Sequence, residues 1–202
     1  MAYSQAFIDK HRDFNVNHDW WDCVYDDFKC ICEILGIDLD KNEPSFSGFW
    51  SQGDGASWTG TYRARSIMSF ATMTDEPTYD IAPQKIREHA PEDEVLHTIA
   101  DELCLLSRIY NPVSAKVGRH SSHYVHSMTM CVSEWDYHDE DIGFEGVDDA
   151  IAELVEETLL TQFRALADWL YGSLNKEYEY ITSDEAVIGS LEANEIEEDE
   201  DA

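Results

Sequence analysis

Basic residues are scarce in this chain, which contains 13 Lys and Arg against 43 Asp and Glu and carries a formal net charge of −30. A field of that sign repels phosphates, so the composition argues against direct nucleic-acid binding and favours a basic protein as partner. The excess is also uneven, because residues 134–202 hold 23 acids but only two bases, Arg164 and Lys176. The C-terminal third is therefore where we expect a basic partner to bind.

Long apolar runs are absent as well. No stretch approaches the roughly 18–20 apolar residues that a membrane-spanning helix requires. The first 14 residues also lack the apolar segment of a secretory signal. We therefore expect no membrane contact and a cytoplasmic location.

Cysteine is present only five times, without a CxxC pair, at Cys23, Cys30, Cys32, Cys104 and Cys131. The spacing of Cys30 and Cys32, with one residue between them, is too tight for ordinary zinc ligands. We therefore predict reduced, mostly buried thiols rather than a disulfide framework.

Recognisable catalytic motifs are missing too. The chain contains no GxSxG nucleophile elbow, no HExxH zinc motif, no phosphate-binding glycine loop ending in Lys-Ser or Lys-Thr, and no twelve-residue calcium loop. We therefore predict a protein that is not an enzyme and that has no cofactor and no bound metal.

Two segments keep a ligand-binding or enzymatic alternative open. The first is a glycine-rich loop whose backbone amides are suited to an anion, but whose flanking β-formers indicate a hairpin turn: Gln52, Gly53, Asp54 and Gly55. The second is a predicted strand and its surroundings, with four histidines: His120, His123, His126 and His138. Strand alternation places His120 and His126 on one face and His123 on the other, so a shared metal ion requires a bend.

Hydrophobic periodicity predicts an α+β fold. Apolar residues at steps of three and four indicate helices at residues 20–35, 65–72, 81–89, 92–109, 147–176 and 182–194. Alternating runs indicate two hairpins, one of residues 44–50 with 57–63 across a loop of four to six residues, and one of residues 113–120 with 123–135. Together they predict an antiparallel sheet of about four strands packed with the long C-terminal helix and several shorter helices.

The same patterns predict the domain organisation. Residues 1–18 have the character of a polar lead-in, residues 19–194 of a single α+β domain, and residues 195–202 of an acidic disordered tail. The apolar stripe of the long C-terminal helix suits either the core of that domain or a homodimer interface.

The strongest functional signal is an acidic surface on the long helix and the loop before it. Carboxylates repeated along a rigid helix can imitate the phosphates of a duplex, and such a protein fits the basic cleft of a nuclease or another nucleic-acid-binding protein. We call the ten residues predicted to form this surface the acidic face: Asp136, Asp139, Glu140, Asp141, Glu145, Asp148, Asp149, Glu153, Glu156 and Glu157.

Four segments also give the chain a resemblance to a known family: FSGFWSQGDGASWTGTY, APEDEVLHTIADEL, YVHSMTM and LADWLYGSLNKEYEYITSDEAV. It resembles small phage- and plasmid-borne proteins that share an SGFWSQGDGA motif and are sometimes labelled antitoxin of a toxin–antitoxin stability system. The resemblance implies a mobile-element protein acting in the cytoplasm of a host cell. We therefore expect an inhibitor of a basic host nucleic-acid-binding protein or nuclease complex, such as a restriction or CRISPR factor. The alternative is an antitoxin-like partner that neutralises a toxin.

Overall fold

The computed structural model describes residues 3–64, 81–110, 113–121, 124–137 and 149–198. The helices are α1 (Gln5–Lys10), α2 (Asp22–Leu35), α3 (Ile81–His89), α4 (Glu94–Tyr110), α5 (Asp149–Ile181) and α6 (Asp184–Ala193), with 3-10 helices at Phe14–Val16 and Ser127–Thr129. The strands are β1 (Ile37–Leu39), β2 (Ser45–Phe46), β3 (Ala56–Ser57), β4 (Gly60–Arg63), β5 (Val113–Arg119) and β6 (Met130–Tyr137). No helix within the described ranges is long and apolar enough to cross a membrane.

The chain divides into two compact units. The central unit comprises residues 27–171, and the terminal unit comprises residues 1–26 together with residues 172–202. Helices α2 and α5 contribute residues to both units.

Four strands of the central unit form an antiparallel sheet in the order β1-β4-β5-β6, while β2 and β3 form a separate two-stranded sheet. The predicted α+β class, with a four-stranded antiparallel sheet and a long C-terminal helix, is confirmed. The first hairpin differs from the prediction in its pairing. Its strands meet at β2 and β3 around a nine-residue loop, residues 47–55, and β4 pairs instead with β1. Strand β1 is only three residues long, too short for its alternation to be read from the sequence.

The second predicted hairpin is formed by β5 and β6, which pair from Val113 opposite Tyr137 to Arg119 opposite Met130. The prediction that its second strand begins before residue 130 is wrong. Residues 127–129 form a 3-10 helix, capped by the His126 side chain, whose Nδ1 accepts a hydrogen bond from the Met128 amide at 3.0 Å. The Met128 amide therefore bonds a side chain within the turn and not, as the alternating pattern predicts, a neighbouring strand.

The core of the central unit forms where α5 packs against β4 and the residues beside it. Phe163 is fully buried, with its ring 5.3 Å from that of Trp58 and 5.5 Å from that of Tyr62, both edge-on. The Trp58 indole N–H donates to the Phe163 carbonyl oxygen at 3.3 Å, so this large ring is buried without leaving its donor unpaired. The apolar stripe of α5 in this unit lies inside the chain's own core: Val155, Leu159, Phe163, Leu166 and Leu170.

Helix ends follow the local capping chemistry. Gly36 adopts a φ of 84°, and it ends α2 where the sequence predicts. Helix α4 begins two residues later than predicted, because the Asp93 carboxylate accepts from the Leu96 amide at 3.0 Å and so caps the helix. Helix α5 continues to Ile181, five residues beyond the predicted end. The predicted helix at 65–72 lies outside the described residues.

The terminal unit has its own small core. Ile8 of α1 is buried with Val187 and Leu191 of α6. The Tyr3 hydroxyl donates to the Ile196 carbonyl oxygen at 2.8 Å, and the Ser4 amide donates to the Glu198 carboxylate at 2.8 Å. The segment predicted as a polar lead-in therefore holds a helix, because its few apolar side chains have a partner far along the chain. The predicted tail is packed as far as the description extends, to residue 198.

The five cysteines are free thiols. Cys32 and Cys104 are buried, and burial raises the pKa of both thiols. The prediction of mostly buried thiols is wrong, because Cys23 and Cys30 of α2 are exposed and Cys131 of β6 is half-buried.

Candidate functional site

The described part of the acidic face lies on the first turns of α5. Glu153, Glu156 and Glu157 are exposed there. Within the described ranges, no cation forms an ion pair with any of these three carboxylates. Asp136 belongs to β6 and Asp149 begins α5. The other five predicted members lie outside the described residues: Asp139, Glu140, Asp141, Glu145 and Asp148.

The three carboxylates on α5 are closely spaced. At ~1.5 Å of rise per residue, Glu153 and Glu157 lie about 6 Å apart along the helix axis. Glu156 lies between them, about 4.5 Å from Glu153 and about 1.5 Å from Glu157 along the axis. The three charges thus average about one every 3 Å, close to the ~3.4 Å per phosphate along one DNA strand. Exposed Ile151 and Leu154 lie in the same two turns. The surface therefore offers both charge and apolar area to a partner.

Arg164, one of the two bases in the C-terminal third, does not neutralise this surface. Its guanidinium donates to the carbonyl oxygens of Met128 and Met130, at 3.3 and 3.0 Å. Arg164 follows Glu157 by seven residues, which places both on nearly the same side of α5, about 10 Å apart along its axis. Arg164 thus anchors residues 128–130 beside the helix that carries the carboxylates.

The glycine-rich loop at residues 47–55 is held by its own hydrogen bonds. The Ser47 amide donates to the Gly55 carbonyl oxygen, and the Gly55 amide donates to Ser47 Oγ, both at 3.1 Å. Asp54 Oδ2 accepts from the Ser51 amide at 2.6 Å, and the Asp54 amide donates to the Ser51 carbonyl oxygen at 3.0 Å. Gly53, next to exposed Gln52, supplies the φ of 96° that the turn requires. Because Asp54 puts a negative charge inside the loop, the arrangement suits a turn better than an anion site.

Aromatic rings of the same loop pack against one another and against Tyr171. Phe49 lies 5.7 Å from Phe46 and 5.5 Å from Tyr171, and its ring meets that of Trp50 edge-on at 6.0 Å. Phe49 is half-buried, whereas Trp50 is 77% exposed. The pKa of Tyr171 is raised by burial and by the nearby Asp54 carboxylate. The loop therefore holds Trp50 toward solvent on a base of packed rings, a role that the glycine pattern alone did not reveal.

Two of the four candidate histidines lie in the described part of the chain, His120 and His126. His120 is exposed, and His126 packs against Gly55 so closely that a Cβ at position 55 would meet the imidazole at 2.8 Å. His123 and His138 lie outside the described residues. Among the residues that the structure places, no group of three His, Cys, Asp or Glu is arranged to hold a metal ion. His126 instead joins the glycine loop to the 3-10 helix that follows it.

Sequence reasoning missed a buried ion pair next to this region. The Arg119 guanidinium contacts the Glu43 carboxylate and donates to Ser57 Oγ at 3.3 Å. The two charged side chains are only 17% and 9% exposed. Burial raises the pKa of Glu43, and the Arg119 charge opposes that rise. No sequence signal pairs these residues, because they lie 76 positions apart on elements with no shared motif.

A cavity of about 70 Å³ lies between α2, α3, α4 and β4. Tyr62 and Ser107, whose hydroxyl groups lie 3.2 Å apart, line it together with Lys85 and Glu33. Burial raises the pKa of Tyr62 to about 12, so this phenol stays protonated at neutral pH. The cavity contains none of the residues in the predicted ligand loop.

Comparison with known proteins gives a family but no named relative. No curated protein matches the chain. No solved structure matches it either. Residues 20–184 match the family described as "Domain of unknown function (DUF8835)", and this match spans most of the 202 residues. The chain therefore belongs to the DUF8835 family.

Proposed function

We propose that this chain is a non-enzymatic protein of a phage or another mobile element, which binds and inhibits a basic nucleic-acid-binding protein of the host by imitating DNA. The observation that carries the proposal is the charge arrangement on α5. Glu153, Glu156 and Glu157 are exposed, closely spaced and without an ion-pair partner among the described residues. The net charge of −30 adds a long-range field of the same sign.

The physical logic is electrostatic competition. A nuclease or another nucleic-acid-binding protein presents a basic cleft that is shaped for phosphates. Carboxylates fixed on a helix reach that cleft without the ordering cost that a flexible acidic tail would meet. The exposed Ile151 and Leu154 give the complex apolar contacts that free DNA does not offer. Binding through such a surface weakens as salt screens it.

The test is a capture experiment from host lysate at low and at high salt, with identification of the eluted proteins. The wild-type chain is compared with a variant that carries E153K, E156K and E157K. The matched control carries E33K, E88K and E92K, at exposed carboxylates outside the acidic C-terminal third. Both variants change the net charge from −30 to −24, so only the position of the reversed charges differs.

We expect the wild type and the control to capture a basic nucleic-acid-binding protein that high salt releases, and the α5 variant to lose it. A short DNA duplex added to the lysate should displace the same protein. Capture that survives both the α5 reversal and high salt would refute charge mimicry. Capture of one basic toxin that DNA does not displace would assign the chain the antitoxin-like role instead.

A further inference from the structure

We propose that the loop at residues 47–55 presents Trp50 as an anchor for an arginine side chain of the same basic partner. Exposed Trp50 lies on this loop, and exposed Tyr124 and Met128 lie on a segment that contacts the loop; we call these three residues together the aromatic patch. The proposal rests on the proposed function, since it names a second contact for the same class of partner. It also gives the SGFWSQGDGA segment a purpose that the acidic face does not.

The patch is unusual in its exposure. Trp50, Tyr124 and Met128 are 77%, 64% and 65% exposed. Two contacts join the segments that carry them: Ser47 Oγ donates to the Val125 carbonyl oxygen at 3.3 Å, and Gly55 packs against the His126 ring. Large apolar side chains gathered in this way on a soluble protein are typical of interaction surfaces.

The patch is also preorganised. The crossed hydrogen bonds of Ser47 with Gly55 and of Ser51 with Asp54 fix the loop. The Phe49 ring braces Trp50 from the side. An aromatic residue held in this way has little conformational entropy left to lose on binding, which is the property of an interface anchor.

Charge decides what kind of group docks on these rings. The face of an indole attracts cations, and arginine does so best because its guanidinium also stacks flat on the ring. Nucleobases stack on aromatic rings as well, but a chain with a net charge of −30 repels their phosphates. The same charge attracts an arginine-rich segment. The occupant is therefore a cationic protein segment and not a nucleic acid.

Met128, one member of the patch, is close enough to the acidic residues of α5 for both to contact one ligand. Arg164 donates to the Met128 carbonyl oxygen, and Glu157 lies about 10 Å along the same side of α5. An extended peptide of eight residues reaches up to about 27 Å. It can therefore contact the Met128 side of the patch and the carboxylates at the same time.

The test uses two synthetic peptides, octa-arginine and octa-lysine, with affinities measured by isothermal titration calorimetry at low and high salt. The variants are W50A and W50L, because leucine keeps apolar area but removes the ring. The matched control is Y180A, at a tyrosine that is 63% exposed in the terminal unit. Circular dichroism of each variant checks that the exposed substitution leaves the fold intact.

We expect W50A and W50L to weaken octa-arginine binding roughly threefold to tenfold and octa-lysine binding less, with the salt dependence unchanged. Y180A should bind both peptides as the wild type does. Unchanged octa-arginine binding by W50A, or an equal loss in Y180A, would overturn the proposal. So would a loss of oligo-dT binding in W50A, which indicates base stacking. A W50A-sensitive dimer in sedimentation would assign the patch to a second copy of the chain and overturn it too.

The triple reversal E153K, E156K and E157K separates this proposal from the proposed function. It should weaken binding of both peptides and reduce the salt dependence. If it changes neither peptide while W50A still weakens octa-arginine, the acidic face fails and the aromatic patch stands. If it weakens both peptides while W50A changes nothing, the aromatic patch fails alone.

Discussion

The buried pair of Arg119 and Glu43 gives the sharpest prediction about stability. The variant R119A leaves the Glu43 carboxylate in a site where it is only 9% exposed, without the guanidinium that contacts it in the wild type. The hydrogen bond from Arg119 to Ser57 Oγ is lost as well, and Ser57 is fully buried. The substitution thus removes one charge and takes the guanidinium away from two buried polar groups, of which Glu43 keeps a hydrogen bond from Ser45 Oγ at 3.5 Å.

The magnitude follows from this burial. Removal of one partner from a buried pair costs about 3–5 kcal/mol of unfolding free energy, because the remaining charge stays desolvated. A domain has about 5–15 kcal/mol in total, so R119A should lose a large part of its stability. The matched control is R63A, whose partner Asp38 forms an exposed pair, with side chains 61% and 57% exposed. We expect R63A to cost at most about 1 kcal/mol.

The cost of R119A should also depend on pH. Burial raises the pKa of Glu43 above its unfolded value, and loss of Arg119 raises it further. For a carboxyl group whose folded pKa is raised, stability is fully present below the unfolded pKa and is lost as the pH rises through the folded pKa. The stability difference between wild type and R119A should therefore be smaller at pH 5 than at pH 8. The titration of acidic residues that both proteins share contributes equally to the two unfolding free energies, so it cancels in their difference.

Urea unfolding followed by circular dichroism at pH 5 and pH 8 measures these differences directly. The double variant E43Q with R119A should recover part of the loss at pH 8, because a neutral amide costs less to bury than a carboxylate. If R119A costs no more than R63A, or its cost does not increase between pH 5 and pH 8, the reasoning about the buried pair is wrong.

Five further substitutions at four positions test the fold by the same urea assay. G60A should cost about 1–3 kcal/mol, because the new Cβ would clash with the backbone of β1, whereas G189A, in open space on α6, should stabilise the protein by about 1 kcal/mol. F163A should cost about 3–5 kcal/mol, since the ring is fully buried between Trp58 and Tyr62. H126L should cost about 1 kcal/mol through loss of the acceptor for the Met128 amide, while H126N, which keeps an acceptor, should cost less. Equal stability of G60A and G189A, a loss under 1 kcal/mol in F163A, or a larger loss in H126N than in H126L would contradict these assignments.

Local patterns predicted the helices of this fold well. Helix α3 begins and ends at the predicted residues, and α2 ends at the predicted glycine, because periodicity and capping are short-range properties of the chain. Pairings between elements far apart in the chain could not be predicted from the sequence. The pairing of β1 with β4 and the packing of Ile8 with Val187 depend on elements that carry too few residues to show a pattern.

One part of the candidate site could likewise be predicted from local pattern and another could not. Exposure of Glu153, Glu156 and Glu157 follows from the helical stripe, since the opposite side of the helix must face the core. The aromatic content of residues 46–50 was visible in the sequence, but a strand pattern would have turned these rings into the sheet. Only the nine-residue loop, braced on Tyr171, explains why Trp50 is exposed instead.

The placement of charge and aromatic surface bears on specificity. A negative field attracts every basic protein in a cell and by itself selects none of them. Selection requires contacts that a wrong partner cannot match, such as a rigid ring that accepts one arginine in one position. Under the two proposals, the acidic face accounts for the class of partner and the rate of encounter, while Trp50 accounts for the choice of one partner within that class. Loss of the carboxylates should then slow association, and loss of Trp50 should mainly speed dissociation.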